Sequence, residues 1–493
     1  MVGRNKVALL VIIAALIRIA LMFINRNPCL SDECLYGKIL DEIVRNKSLV
    51  PTYFNEYVPW KPPLTFYVYS LFYPLSTIFP IELTFRIPSL IFGVITTFVF
   101  YFFVLELLKN EKKKEEIAFY SSIAYSAHPA FLITNGLFLT DNLLAFLTLL
   151  SLLYYLKGER KSKYFIVAGF FSALAFFTKT IMSFAIIYLA IIYYFLKDKK
   201  VLLKKEFLIS LLFIPATFLL MYFYFGEEFI NNFMIDATRL EIPPSVAGMY
   251  VLLMLIAISV PFIVFFFIRI VDRIKKKKLG FLEKYFLFWL ILIYPAAFSN
   301  QLLYWYFIPV IPPIVILGVK EMSKDIFDRP FIITFSCIIL IILSLSYVPL
   351  SQIDKRFEDQ KNIGIYLVNK SNILLLTAYS PGIIYYKFHF EDKNYDENFN
   401  VLFANENIDD ILEDVLKYEI YKLKTIDYIK AVYGLHIPSK FMAYGTFKKF
   451  DYVVIEEELI EDKFKVDEIF KKYGYKLDYQ AGLYSVYSVY KRD

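Results

Sequence analysis

"VALLVIIAALIRIALMFI" (residues 7–24) is a run of apolar residues interrupted by a single charge, Arg18. A helix of about 20 mainly apolar residues crosses a hydrocarbon core of roughly 30 Å, so the run predicts a transmembrane helix. It is continuous rather than alternating, which favours a helix over a membrane strand. No small-residue cleavage site follows it, and we expect a retained helix rather than a removed signal peptide.

The same apolar character extends over the first 350 positions. The chain of 493 residues is 58% hydrophobic and 19% aromatic, whereas soluble domains are roughly 45–50% apolar. We therefore predict a polytopic α-helical membrane protein. About eleven spans are expected, at residues 7–24, 84–108, 117–134, 140–156, 164–178, 181–196, 206–225, 248–271, 281–298, 302–319 and 331–349.

The basic residues predict the orientation of these spans. Net charge is +7, and the lysines and arginines concentrate in short loops that all fall on one side of the membrane. By the positive-inside rule this side is cytoplasmic, so the charge reflects topology and contact with membrane lipids rather than nucleic-acid binding. The loops expected on the outer face are 25–83, 135–139, 178–180, 226–247 and 299–301.

After Pro349 the sequence changes character. Patterns of helix, strand and helix before residue 390, and of strand, helix and two strands after residue 450, predict a soluble α/β domain over residues 351–493, which an odd number of spans places outside the cell. Residues 1–350, with the outer loop 25–83, form the predicted membrane domain. Of three cysteines, Cys29 and Cys34 could pair if their loop faces an oxidising compartment.

Charged residues that do not fit the topology pattern map to the outer loops and outer helix ends. Such a mixture of carboxylates and cations suits a site where a carboxylate removes a proton and cations hold a leaving phosphate. We expect these side chains to converge on one cavity at the outer leaflet. They are Asp32, Glu33, Lys61, Arg86, Asp141, Lys179, Asp236 and Arg239.

Each acidic candidate also has a plain structural interpretation. Asp32 and Glu33 suit a general base, but with Ser31 they equally suit the first turn of a surface helix that runs to about Arg45. Asp141, with Thr140, suits the cap and first turn of the fourth span, where a carboxylate complements the helix dipole.

The basic candidates carry similar alternatives. Lys61 precedes a rigid Pro-Pro pair and could hold a lipid phosphate or extend to headgroups. Arg86 enters the second span, where an arginine is costly unless paired or hydrated. Lys179 lies on the side that has few basic residues, which favours a phosphate contact. Asp236 and Arg239 are spaced as a pair within one helix.

Aromatic and histidine residues add less specific signals. Tyr304, Trp305 and Tyr306 form either an interfacial aromatic belt or a surface for sugar stacking or acceptor contact. His128 precedes Pro129 and is expected at a helix kink. The scattered histidines predict no metal site, although a divalent metal stays open as a cofactor.

Six short motifs occur in order over roughly residues 1–320, and together they resemble the membrane-embedded GT-C glycosyltransferases of family 39. This family includes protein O-mannosyltransferases and bacterial aminoarabinose transferases of lipid A. The motifs are DE at Asp32, KPPL at Lys61, RxPSxxxG at Arg86, TD at Thr140, FFTK ending at Lys179, and YxxPxxPP from Tyr306 to Pro313.

The resemblance implies a GT-C fold and an inverting sugar transfer from a polyprenyl (dolichyl) phosphate to a hydroxyl of a protein, glycan or lipid on the extracytoplasmic face. Carried over by position, Asp32 is the catalytic carboxylate with Glu33 beside it, and Asp141 is a further carboxylate of the site. Lys61, Lys179 and Arg239 are implied phosphate contacts, while Arg86 is implied to steady the first outer loop.

Two departures bear on the substrate. Ala237 stands where some relatives carry a histidine before the arginine, and Trp60 stands where aminoarabinose transferases have a glutamate before the lysine. The second departure argues against transfer to lipid A.

A transporter or flippase of lipid-linked sugars is the alternative function. Such a protein should carry ionisable groups at mid-membrane and repeated halves, and of these features the sequence shows only Arg18. A non-catalytic scaffold built around the C-terminal domain would leave the charged set at the outer face unexplained.

Overall fold

The computed structural model describes most of the chain. The described residues are 2–24, 29, 32–57, 61–180, 183–227, 229–230, 258–293, 308–322, 337–342, 356–377, 381–393, 399–404, 412, 441–444, 450–460 and 462–489. By internal contacts the chain divides into two compact units. Unit 1 comprises Met1–Arg26 and Pro59–Ser351, and unit 2 comprises Asn27–Val58 and Gln352–Asp493.

The described chain is mostly helical. In chain order the helices are α1 (Val2–Ile24), α2 (Asp32–Asn46), α3 (Leu64–Ser70), α4 (Ile81–Leu107), α5 (Lys114–Ala127), α6 (Pro129–Asn135), α7 (Thr140–Lys157), α8 (Lys163–Phe176), α9 (Phe184–Lys197), α10 (Lys205–Leu211), α11 (Phe213–Phe225), α12 (Phe262–Lys275), α13 (Phe281–Leu290), α14 (Ile311–Glu321), α15 (Arg356–Tyr366), α16 (Pro381–Phe390) and α17 (Lys463–Lys472).

The strands belong to unit 2. They are β1 (Thr52–Tyr53), β2 (Glu56–Tyr57), β3 (Ile373–Thr377), β4 (Phe399–Ala404), β5 (Phe441–Tyr444), β6 (Tyr452–Glu456), β7 (Tyr475–Ala481) and β8 (Tyr484–Val489).

Unit 1 is built from apolar helices. Within the described residues, three stretches are long and apolar enough to cross a membrane: Asn5–Phe23, Ile81–Leu107 and Lys205–Phe225. Two shorter apolar helices, Lys163–Phe176 and Phe184–Lys197, accompany them. The chain is therefore a membrane protein, as predicted, while the number of about eleven spans stays a prediction.

The interior of unit 1 is a continuous apolar core between α4, α5, α7, α8 and α9, closed by α12, α13 and α14. Its polar contacts are local, such as the Ser151 hydroxyl of α7, which lies 2.9 Å from that of Ser172 on α8. The predicted kink at His128 is confirmed, because α5 ends at Ala127 and α6 begins at Pro129. Pro129 has no N–H to continue the α5 hydrogen-bond ladder.

Unit 2 contains a mixed sheet of six strands in the order β5-β4-β3-β6-β8-β7. The central strand β3 pairs in parallel with β4 and β6, and the other pairs are antiparallel. All five residues of β3 are buried, as expected for a parallel strand covered on both faces. The predicted order of helix, strand and helix before residue 390, and of strand, helix and two strands after residue 450, is confirmed.

Residues 27–58 add a helix and a small hairpin to unit 2. The sequence assigned the whole loop 25–83 to the membrane domain, whereas contacts group Asn27–Val58 with the C-terminal sheet. Helix α2 runs from Asp32 to Asn46, close to the predicted bounds. The expected surface position of this helix is wrong, because residues 33–43 are all buried and α2 packs against α16.

Candidate functional site

Asp141 and Lys179 form an ion pair within unit 1. The Lys179 Nζ donates to both carboxylate oxygens, at 2.9 and 3.0 Å. Asp141 lies in the first turn of α7, and Lys179 follows the end of α8 at Phe176. The carboxylate is nearly buried, while the lysine side chain is 27% exposed. Two residues that the sequence singled out separately are thus direct partners.

The expected capping role of Asp141 is not what the structure shows. The residue that precedes α7 is Leu139, and no side chain caps the first turn. Asp141 still lies where the helix dipole favours a negative charge, and this field stabilises the carboxylate that holds Lys179.

A cavity lies beside Asp141, which is one of its lining residues. Its wall is mainly apolar and includes Tyr125, Leu144, Trp289, Pro309 and Pro312. The Trp289 indole N–H donates to the Pro309 carbonyl at 2.6 Å, which fixes this part of the wall. A single carboxylate at the edge of an apolar cavity is a typical composition for a ligand site.

The segment of Lys61 meets the segment of Lys179. Pro62 and Pro63 follow Lys61, and the backbone N–H of Leu64 donates to the Phe177 carbonyl at 3.1 Å. The KPPL and FFTK motifs are therefore in contact. Lys61 itself is half-buried.

Arg86 is buried near the start of α4. An arginine in a membrane domain is costly unless it faces the protein interior or water. In the same motif, the Ser89 hydroxyl donates to the Leu137 carbonyl at 2.7 Å, in the turn before α7. Four of the six sequence motifs thus have residues at this turn, in the ion pair or in the cavity wall, and the KPPL motif contacts the FFTK motif through Leu64 and Phe177.

The remaining motif, DE at Asp32, belongs to unit 2. Asp32 and Glu33 are the first residues of α2; Asp32 is half-buried and Glu33 is buried. A disulfide joins Cys29 to Cys34 and closes a short ring around both carboxylates. The backbone N–H of Cys29 donates to the Tyr386 hydroxyl of α16 at 2.9 Å. The sequence analysis made pairing of these cysteines conditional on an oxidising compartment, and the structure contains the disulfide.

Helix α2 carries buried charges that sequence reasoning missed. Asp41 lies 2.7 Å from Nδ1 of His389 on α16. Arg45 donates to the carbonyls of Phe388, His389 and Lys393 at 3.2, 3.1 and 2.5 Å. These contacts attach the acidic helix to the C-terminal part of the chain.

A second buried pair supports the hairpin that follows α2. Lys38 lies 2.8 Å from Glu42, and burial lowers the pKa of Lys38 although Glu42 opposes the shift. The Glu42 carboxylate also accepts the backbone N–H groups of Phe54 and Asn55, at 2.8 and 2.9 Å. Both turn residues have positive φ, 57° and 61°, so this carboxylate stabilises a turn that non-glycine residues adopt at a cost.

The remaining predicted site residues lie outside the described part of the chain. These are Asp236, Arg239, Tyr304, Trp305 and Tyr306. Within the described residues, no group of three or more His, Cys, Asp or Glu side chains is placed to hold a metal ion. His128 lies 3.0 Å from the Ser259 hydroxyl, and His389 pairs with Asp41.

The sequence of this region matches a known family. The profile described as "Dolichyl-phosphate-mannose-protein mannosyltransferase" matches residues 60–224, which include Lys61, Arg86, Asp141 and Lys179. Over these residues, about a third of the chain, the sequence is similar to this glycosyltransferase family. The predicted resemblance is thereby confirmed, and the chain is a membrane glycosyltransferase of the polyprenyl-phosphate-sugar type. No protein of curated function gave a significant sequence match.

Solved structures of membrane glycosyltransferases share the fold. ArnT from Cupriavidus metallidurans bound to undecaprenyl phosphate aligns over 85% of this chain and 96% of its own, with a TM-score of 0.61 and 12% identity. Its apo state aligns with a TM-score of 0.61, 13% identity, and coverage of 86% and 97%. The chain therefore has the GT-C fold of ArnT.

An archaeal enzyme is also similar. The oligosaccharyltransferase AglB from Archaeoglobus fulgidus, in complex with an inhibitory peptide and a dolichol-phosphate, aligns with a TM-score of 0.50 and 11% identity. The alignment covers 92% of this chain and 69% of AglB.

Proposed function

We propose that this protein transfers a sugar from a polyprenyl (dolichyl) phosphate to a hydroxyl group of a protein, glycan or lipid, with inversion, on the extracytoplasmic face. The observation that carries the proposal is the Asp141–Lys179 ion pair at the edge of an apolar cavity, inside the region that matches the mannosyltransferase family. A carboxylate that holds a lysine beside such a cavity suits a ligand with a lipid chain and a charged phosphate.

The proposed reaction is a direct displacement. The acceptor oxygen attacks the anomeric carbon as Asp32 takes its proton, and the bond from that carbon to the phosphate oxygen breaks. The electron pair leaves with polyprenyl phosphate, so the donor needs no nucleotide. Glu33 supports Asp32 in this proposal.

The cations serve the leaving group. Lys61, Lys179 and Arg239 contact the phosphate, whose negative charge they stabilise as the bond breaks. Asp141 orients the Lys179 ammonium, and Arg86 steadies the loop that follows Lys61. Tyr304, Trp305, Tyr306 and Asp236 contact the sugar or the acceptor. No step in this scheme requires a metal ion.

The disulfide supports the proposed side of the membrane. A disulfide persists in an oxidising compartment, and the Cys29–Cys34 pair encloses the proposed base. The positive-inside pattern of the loops gives the same orientation.

Transfer can be tested with the purified full-length protein in detergent. It is incubated with a radiolabelled polyprenyl-phosphate mannose, or another polyprenyl-phosphate sugar, and a membrane extract as acceptor. Label transferred to acceptor, with release of polyprenyl phosphate, is the expected result. A transporter would give no product here, because transport requires a sealed membrane, so absence of transfer from every donor would overturn the proposal.

The role of Asp32 needs a matched variant. Asp32→Asn is expected to lower turnover by about 10²–10⁴-fold while leaving donor binding unchanged. Glu458→Gln removes an exposed carboxylate from the same unit and should leave turnover intact. Normal transfer by Asp32→Asn would remove Asp32 from the mechanism. Mass spectrometry of surface glycans with and without the protein identifies the sugar and the acceptor.

A further inference from the structure

Arg18 is a buried guanidinium whose described partners are all uncharged. It lies on α1, the first apolar helix, with 1% of its surface exposed. Its Nε and Nη2 groups both donate to the Asn135 Oδ1 atom, at 3.1 and 2.8 Å. Its Nη1 group donates to the Ser126 hydroxyl at 2.7 Å and to the Ala14 carbonyl at 3.1 Å. These contacts join α1 to the chain around α5 and α6.

The Arg18 guanidinium determines how the Asn135 side-chain amide is oriented. Arginine carries donors only, so it can face only the oxygen of the Asn135 amide. The Asn135 Nδ2 group then points the other way and donates to Asn142 Oδ1 at 2.7 Å. The position and orientation of Asn142 are thus set, through Asn135, by an arginine on another helix.

Asn142 in turn holds the turn before α7. Its Nδ2 group donates to the carbonyls of Thr134 and Leu137, at 3.0 and 3.1 Å. Asn142 directly follows Asp141, whose carboxylate holds Lys179. The network therefore ends at the backbone that carries the ion pair of the candidate site.

The neighbouring helix leaves room for this network. A Cβ atom on Gly93 of α4 would lie 2.2 Å from Asn135 Oδ1 and 2.3 Å from Arg18 Nε. Any side chain at this position would displace both groups. The glycine of the RxPSxxxG motif thus has a packing role in this protein.

We propose that Arg18, Asn135 and Asn142 form a buried relay that positions Asp141, and through it Lys179, for the departure of the donor phosphate. None of the three contacts substrate, so they are positioning residues. The catalytic part of this inference rests on the proposed function, whereas the effect of the relay on the Asp141–Lys179 pair does not depend on it.

The variant Asn135→Asp separates the relay from simple packing. It has nearly the same size and keeps an oxygen for Arg18, but it cannot donate to Asn142. Ser151→Ala is the matched control, because it removes a buried hydrogen bond from the same helix α7 at a distance from the turn. Both variants are compared at equal temperature below their melting transitions.

A chemical readout tests the relay without activity. Lys179 is partly exposed, so its acylation by acetic anhydride can be followed by peptide mass spectrometry, with Lys276 as internal reference. We expect Asn135→Asp to speed acylation of Lys179 to the extent that Asp141→Asn does, and Ser151→Ala to leave it unchanged. Unchanged Lys179 reactivity in Asn135→Asp would overturn the relay.

A kinetic readout tests the catalytic consequence. Displacement of a positioned group by about 1 Å costs on the order of 10²-fold in rate, so Asn135→Asp should lower kcat by about 10- to 100-fold with little change in the donor KM. Equal kcat values for Asn135→Asp and Ser151→Ala would overturn the positioning role. If acylation changes as expected but the wild-type protein transfers no sugar, the relay stands and the proposed function fails.

Discussion

Lys179 contacts both carboxylate oxygens of Asp141, at 2.9 and 3.0 Å, across the gap between the end of α8 and the start of α7. This one relationship joins two motifs that are 38 residues apart in sequence. These two hydrogen bonds hold the Lys179 side chain in one position near the apolar cavity, whereas an unpaired lysine would sample several solvent-exposed rotamers.

Loss of this pair should reduce turnover. Lys179→Met removes a cation proposed to stabilise the leaving phosphate, and we expect kcat to fall by about 10²-fold or more. Asp141→Asn should lower kcat less, by about tenfold, because the cation remains and only its position changes. The double variant should resemble Lys179→Met alone, since the carboxylate acts through the lysine.

An exposed pair in the same unit provides the control for this cycle. Asp272 on α12 and Lys276, the residue after α12, lie 2.7 Å apart on the surface, where ion pairs contribute about 0–1 kcal/mol. Asp272→Asn with Lys276→Met should leave kcat unchanged. Additive effects of Asp141→Asn and Lys179→Met would contradict the proposed order of action.

Removal of the Cys29–Cys34 disulfide should weaken the N-terminal end of α2. Closing so short a loop contributes about 2 kcal/mol to stability in the chain-entropy model. Cys29→Ser with Cys34→Ser should therefore lower the melting temperature of unit 2, and it should also lower kcat because Asp32 and Glu33 lie inside the ring. Scanning calorimetry and the transfer assay measure the two effects.

The same disulfide can also be opened in the wild-type protein with a reductant, and this treatment needs a cysteine control. Reductant should reproduce both effects in the wild-type protein and add nothing in the double serine variant. Cys337→Ala, which alters the one remaining cysteine, should respond to reductant as the wild type does. Full activity of the double serine variant would show that the ring has no part in turnover.

The contacts between α2 and α16 should be essential for the order of the acidic helix. Arg45→Ala removes donors from three backbone carbonyls, two of them part-buried and one exposed, and a hydrogen bond of this kind contributes about 0.5–1.5 kcal/mol. We expect faster hydrogen exchange over residues 33–46 and greater proteolysis of residues 47–58. Lys463→Ala, which breaks an exposed pair with Glu457 in the same unit, should change neither.

Unit 2 should lose stability at alkaline pH through Tyr475. Its hydroxyl donates to the Phe450 carbonyl at 2.8 Å, and burial raises the pKa of Tyr475 from 10.0 to about 12. Between these values the unfolded chain loses the phenolic proton while the folded chain keeps it. The free energy of unfolding therefore falls as pH rises from about 10 to about 12, and below 10 this contribution is constant.

Tyr475→Phe isolates that contribution. The variant is expected to cost about 1 kcal/mol at neutral pH, from the lost hydrogen bond, and to show a shallower decline of melting temperature above pH 10. The difference in ultraviolet absorbance between wild type and variant should titrate near pH 12. A difference that titrates near pH 10 would contradict burial of this phenol.

Local patterns made much of the fold predictable. Helix α2 begins and ends near the expected residues because Asp32 and Glu33 suit a first turn and Arg45 a last turn. The break at Pro129 follows from its missing N–H. In the C-terminal region, the run Ile373–Thr377 forms a central strand that is buried along its whole length. A continuous apolar run is typical of a parallel strand covered on both faces.

The environment of α2 could not be predicted from these patterns. Lys38, Asp41, Glu42 and Arg45 are typical of a solvated helix face, yet Asp41 is buried against a histidine 348 residues later in the chain. Buried charges are tolerated only where partners satisfy them. The α16 partners of Asp41 and Arg45 come from distant sequence, so the periodicity of α2 does not reveal them.

The sequence indicated Asp141 and Lys179 separately as candidates but could not predict that they pair. Asp141 and Lys179 were each singled out, while their pairing depends on how α7 and α8 pack. Asn135 and Asn142 drew no attention, because an asparagine near a helix end usually caps it. Only the structure relates them to Arg18.

The contact between Cys29 and Tyr386 spans 357 residues of chain, and this has a consequence for biosynthesis. At a synthesis rate of about 5–20 residues per second, the stretch that carries Asp32 waits on the order of 20–70 s before its partner helix leaves the ribosome. During that interval Cys29 lacks the hydrogen bond to Tyr386 that it makes in the folded protein. The proposed base of this transferase thus acquires its final surroundings last, although it is among the first residues translated.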